Sequence, residues 1–169
     1  MLESGKLTAL EENLMETNPP RGKYFEDIAP GQKIYTSGRT VTEADVTAFA
    51  GLSGDFNQIH VDADYAAKGP FGQRVAHGLL VLSIVSGLAV QTGVMDRTVI
   101  AFREIGEWKF SRPVFLGDTV RGIMEIIGTK PLRRLGGGSV EIAFTVVNQK
   151  DETVMSGKWT VLIKSKPSA

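Results

Sequence analysis

Apolar residues change their spacing along this chain, and the change divides it into a helical stretch and a strand-rich stretch. Val46, Phe49 and Ala50 recur at helical spacing behind Thr42-Glu43-Ala44-Asp45, which reads as a capping box with acids in the first turn. Ser53-Gly54 closes that helix, with Gly54 as its left-handed cap. Before it, residues 32–40 read as a first strand. After it, residues 55–61 are expected as a loop, and Asp62 caps a short helix through Ala67 that stops at Gly69-Pro70. Residues 75–95 then carry no charge over 21 positions, which predicts an apolar helix from near His77 to near Gly93. Beyond it the period becomes two. Strands are predicted over 98–110, with a bulge at Gly106, and over 119–127. A turn follows at 135–138, then a strand in which Val140, Ile142, Phe144 and Val146 alternate, and a last strand over 154–164.

One strand, three helices and then four strands make an α+β order, not an alternating one. An antiparallel sheet wrapped around the long uncharged helix would bury it completely. That segment approaches the roughly 20 apolar residues of a membrane span. His77, Ser83, Ser86, Gln91, Thr92 and three glycines interrupt it, however, and no basic cluster flanks it closely, so a core helix with no membrane span is expected. The breaker run Asn18-Pro19-Pro20-Arg21-Gly22 marks a boundary. Residues 1–22 are expected to lie outside the core, with a short helix around 7–15, and residues 23–166 to form a single domain.

Lys plus Arg number 19 and Asp plus Glu 19, so net charge is zero; this argues against a nucleic-acid partner, which favours a basic face. The absence of cysteine removes disulfides, zinc–thiolate sites and cysteine nucleophiles from consideration. The polar N-terminus lacks an apolar signal core, and a cytoplasmic location is expected.

The chain has two histidines, each in an unusual segment. Gly54-Asp55-Phe56-Asn57-Gln58-Ile59-His60-Val61-Asp62 places a carboxylate, an amide and an imidazole directly after a helix end. A carboxylate and an imidazole near one another can hold a water and move its protons. The same residues also read as a polar loop in which Asp55 and Asn57 form turns. In the second segment, His77-Gly78-Leu79-Leu80, a helix begins at a histidine and a glycine. A helix N-terminus offers free N–H groups, and glycine lets a substrate approach the backbone closely. Gly78 N–H could thus hold a carbonyl oxygen as charge develops on it; alternatively, His77 caps the helix and Gly78 relieves crowding. A calcium loop is ruled out, because Ile59 and His60 stand where an oxygen ligand and the turn glycine belong. Spacing leaves open a two-histidine hydrolytic metal site, although none is expected.

These two segments resemble the MaoC-like, R-specific enoyl-CoA hydratase family. Its signature is a Gly-Asp-x-Asn-Pro-x-His-x-Asp loop followed by a His-Gly-(Met/Leu)-Leu helix start. The run from Trp108 to Thr119 is similar to the family's strand and turn, and the resemblance covers about residues 23–164. It implies a hot-dog fold and at least a homodimer, with tunnels at the subunit interface. It also implies hydration of a short or medium trans-2-enoyl-CoA to the (R)-3-hydroxyacyl-CoA, with no cofactor beyond the CoA of the substrate. Asp55 and His60 would be the catalytic pair, with Gly78, Asn57 and Ser86 binding or supporting the substrate. The sequence departs from the signature at Gln58, where the family has proline, so the loop loses a fixed φ. Two nearby readings are a hot-dog thioesterase and a non-catalytic acyl-CoA-binding subunit of a heterodimeric dehydratase. The Asp-x-Asn-x-x-His order favours hydration over the first, and retention of Asp55 and His60 argues against the second.

Overall fold

The computed structural model describes residues 22–167, and within them one antiparallel sheet surrounds one helix. In chain order the elements are β1 (Lys33–Tyr35), β2 (Arg39–Thr40), α1 (Glu43–Ser53), α2 (Gln58–Val61), α3 (Ala63–Ala67), α4 (Gly78–Gln91), β3 (Val99–Phe110), β4 (Thr119–Leu132), β5 (Gly137–Val147) and β6 (Thr153–Lys164). The strand order is β1-β4-β5-β6-β3, with β2 also paired to β4. This is the α+β, hot-dog arrangement expected from the sequence. The helix expected over 7–15 lies outside the described residues.

The centre of the fold is α4. Leu80, Val81, Ile84, Val85, Leu88 and Ala89 are all buried on it, which accounts for a helix without charge. They pack with Met124 of β4, Ile142 and Phe144 of β5 and Trp159 of β6 in one cluster. Burying each such side chain contributes about 1.5–3 kcal/mol. At 14 residues, α4 is too short to span a bilayer, and no described helix is long and apolar enough to do so.

Three boundaries differ from expectation. The first strand is two, because Thr36 keeps only half of its ladder pairing: its N–H donates to Gly122 O at 3.0 Å, but Gly122 N donates at 2.8 Å to the Thr36 hydroxyl, which itself donates to Ser37 O at 2.8 Å. The second strand of the late group runs past Ile127 to Leu132, through a bulge between Ile126 and Gly128. Pro131 fits there because, among the described residues, β1 pairs with β4 only from Ile123 to Glu125, so β4 is an edge at Pro131. The turn lies at Arg133–Leu135 with Gly136 left-handed, so Gly137 and Gly138 belong to β5. The expected irregularity near Gly106 is present, as a register shift between Gly106 and Lys109.

Among the described residues, the strand at the end of the sheet, β3, is paired on one side only, to β6. Five residues along it are not what a free edge usually carries: Val99, Ile100, Phe102, Ile105 and Phe110 are all exposed large apolar residues.

Candidate active site

The carboxylate-bearing loop is shaped by its own side chains. Helix α1 ends where Gly54 turns left-handed at φ +76°. Ser53 Oγ donates to Phe49 O at 2.7 Å and accepts from Asp55 N at 3.2 Å. Asp55 Oδ1 then accepts from Asn57 N at 3.2 Å, and Asn57 Oδ1 accepts from Ile59 N at 3.2 Å. Asn57 is therefore a helix N-cap, and residues 58–61 form the single turn α2 instead of the loop expected from the sequence. That turn carries His60 inward, to 8% exposure, while Asp55 stays exposed.

A main-chain carbonyl defines the state of the His60 ring. Its Nδ1 lies 2.8 Å from Val75 O. A carbonyl only accepts, so Nδ1 carries the proton and, in the neutral ring, Nε2 keeps its lone pair. Val75 N in turn donates to Ile59 O at 3.1 Å, stitching α2 to the chain entering α4. No sequence signal marks this partner, because the group that acts is backbone.

The second histidine, His77, is the N-cap residue of α4, but its side chain does not cap the helix. Its Nε2 instead lies 2.9 Å from Asp55 O. The two imidazoles are stacked, with centroids 3.9 Å apart and planes at 29°. One nitrogen or oxygen atom from each of Asp55, His60 and His77 lies within 4.8 Å of the others. One water making two hydrogen bonds of about 2.8 Å bridges such a gap. A metal would need lone pairs converging at about 2.1 Å; His60 Nδ1 and His77 Nε2 face main-chain carbonyls instead.

Gly78 opens α4, and among the described residues its N-cap, His77, makes no side-chain cap bond to the N–H groups of the first turn. A cavity of about 540 Å³ lies at this point, lined by Gly78, Leu79, Ile59, Phe71, Phe110 and Arg112 among others. Asp55 and His60 are not among its lining residues, although Ile59 and Val75, their chain or hydrogen-bond neighbours, are. Ser86 lines a different cavity, of about 380 Å³, with Ala89, Val90, Val99, Phe102 and Trp159. Eight residues beyond Gly78 is about 2.2 helical turns, which turns Ser86 by roughly 80° and lifts it about 12 Å. The structure thus brings Asp55, Asn57, His60 and Gly78 to one end of α4, and sets Ser86 apart. Sequence reasoning did not single out Phe71, Phe110 or Val75.

A helix end carrying free N–H groups, beside a carboxylate and an imidazole with an open Nε2, is equipped to add or remove water at a polarised carbonyl compound. The MaoC like domain family matches residues 26–148, and the chain belongs to that family. It is a hydratase or dehydratase of the family. The (R)-specific enoyl-CoA hydratase of Rhodospirillum rubrum is 33% identical over 144 residues, covering 85% of this chain and 93% of that protein. Protein MaoC of Klebsiella aerogenes is 46% identical over 102 residues, which are 60% of this chain and only 30% of that protein. Among solved structures, a monoamine oxidase regulatory protein from Archaeoglobus matches with a TM-score of 0.81 at 38% identity, over 87% of this chain and 97% of that one. The R-hydratase PhaJ1 from Pseudomonas aeruginosa matches with a TM-score of 0.72 at 29% identity, over 85% and 86% of the two chains.

Proposed function

We propose that this protein reversibly hydrates a short or medium trans-2-enoyl-CoA to the (R)-3-hydroxyacyl-CoA. The observation that carries the reading is the pairing of Asp55 with a buried His60 whose Nδ1 is committed to Val75 O. His60 Nε2 and the Asp55 carboxylate hold one water and take its proton as its oxygen bonds to the β-carbon. The double-bond electrons move to the thioester oxygen, where Gly78 N–H stabilises the enolate. The proton is returned to the α-carbon on the same face, so the enzyme groups end as they began. No cofactor enters this balance, since CoA belongs to the substrate, and turnover is expected to be unchanged after chelation.

The reading includes a homodimer built on β3. An exposed apolar edge 12 residues long favours pairing with its own copy. An isologous edge pairing is antiparallel, so the Phe110 end of one strand meets the Val99 end of the other. That would set the cavity at Gly78 beside the partner's cavity containing Ser86, and gives Ser86 a place in the site across the interface. Leu52, Phe56 and Leu79, all exposed around the loop and the start of α4, also favour a covered site.

The test is a panel of enoyl-CoA thioesters of increasing chain length, with chiral analysis of the product. Loss of enoyl absorbance with formation of the (R)-alcohol supports the reading. Release of free CoA thiol would instead support a thioesterase, and no turnover across the panel would rule hydration out.

A further inference from the structure

We infer that His77 is a positioning residue for the reaction proposed above, and that it does so through its Nε2–H bond to the main-chain carbonyl of Asp55. The inference rests on that reaction for its kinetic consequences, but not for the bond.

The ring is 98% buried, between Phe49 at 5.1 Å and His60 at 3.9 Å between centroids. Packing alone would be served better by an apolar side chain, because His77 Nδ1 is buried with no hydrogen-bond partner among the described residues. What an apolar residue would lack is the donor 2.9 Å from Asp55 O. That carbonyl belongs to the residue bearing the reactive carboxylate. The face of the same ring supports His60, and the next residue in the chain is Gly78. One side chain therefore sets the register of three parts carried by separate segments: the Asp55 loop, the His60 turn and the start of α4. The two histidines are held in opposite tautomers by two carbonyls, His60 protonated at Nδ1 by Val75 O and His77 protonated at Nε2 by Asp55 O.

Two variants separate the bond from the packing. His77→Phe keeps an aromatic ring and removes the donor; His77→Gln keeps a donor near the Nε2 position and removes the ring. Misplacing reacting groups by about 1 Å costs on the order of 10²-fold. His77→Phe is expected to lower kcat by about that factor, with KM changed little, and His77→Gln to recover most of the loss even where its melting temperature is the lower of the two. Equal losses of kcat in both variants, or a fully active His77→Phe, would overturn the inference. Imidazole ¹⁵N spectra of the wild-type protein supply a readout free of activity. They are expected to show His77 protonated at Nε2, and a neutral His77 protonated at Nδ1 would overturn the bond itself. If His77→Phe does not fold, His77→Gln and these spectra decide. A wild-type protein that turns over no enoyl thioester would defeat the hydration reading while leaving the spectra to judge the bond; an active wild type with an equally active His77→Phe would defeat only the role of His77.

Discussion

The ring of Phe110 lies against Gly78: a Cβ on Gly78 would stand 2.8 Å from Phe110 Cε1 and 2.9 Å from Cδ1. The glycine at the start of α4 therefore answers to two demands, close packing against β3 and an open approach to the first N–H of the helix. Gly78→Ala is expected to destabilise the fold by about 1–3 kcal/mol through overpacking and to lower turnover. Adding Phe110→Ala should restore stability but leave turnover low, because the new methyl still crowds the helix end. Thermal melts and initial rates of the single and double variants check this; recovery of both together would mean that packing alone requires the glycine.

Asn57 supplies the cap that makes residues 58–61 helical. Asn57→Ala should cost about 1 kcal/mol of stability and slow turnover by letting the His60 turn open. Asn57→Asp keeps a capping oxygen and should retain most of the stability. Denaturant titrations of the two variants test the cap, and equal stability of Asn57→Ala and wild type would contradict it.

Glu43 at the start of α1 accepts from Arg74 Nη1 at 2.8 Å, and the pair closes the segment that contains Asp55 and His60. The hydrogen bond from Arg74 is the main reason the Glu43 carboxyl sits below its ordinary value of 4.5; burial opposes the shift and the Arg74 charge adds to it. A depressed carboxyl contributes stability that is full above its unfolded value and lost as pH falls through its folded one. The contribution of this pair should therefore fade below about pH 4.5. Melting temperatures of Glu43→Gln and wild type should differ near neutrality and converge on acidification. A gap that widens in acid would contradict the assignment.

Ile105 lies exposed on the free edge of the sheet. Ile105→Lys places a charge where the account puts a second copy, and edge lysines block strand pairing. Sedimentation should show a shift toward monomer, with a parallel loss of turnover. A dimer of wild-type stability would remove β3 from the interface.

Much of this was legible in the residues themselves. The Thr42–Asp45 capping box, the left-handed Gly54 and the Asp62 cap stand where local side-chain chemistry puts them. The uncharged run became the central helix because nothing but a core can hold it, and the alternation of Val140, Ile142, Phe144 and Val146 became the buried face of β5. What escaped was set by distant partners or by brevity. A single turn such as α2 is too short to show a period, and only Asn57 as a capping residue hinted at it. The extension of β4 to Leu132 depends on pairing with β5, and the bond from His60 to Val75 O on backbone that carries no residue signal. Ser86 came from the family resemblance, and its spacing along the helix gives a height and a rotation but not the cavity they lead to.

In the proposed reaction, Asp55 and His60 together activate the water that adds to an enoyl thioester. The most direct measurement follows the loss of crotonyl-CoA absorbance, and of longer homologues, with wild type, Asp55→Asn and His60→Gln side by side. Wild type should turn over at least one of them, and each variant should be slower in kcat by about 10²-fold or more with an unchanged circular dichroism spectrum. Turnover near wild type in either variant, or none by wild type on any enoyl thioester, would contradict the account.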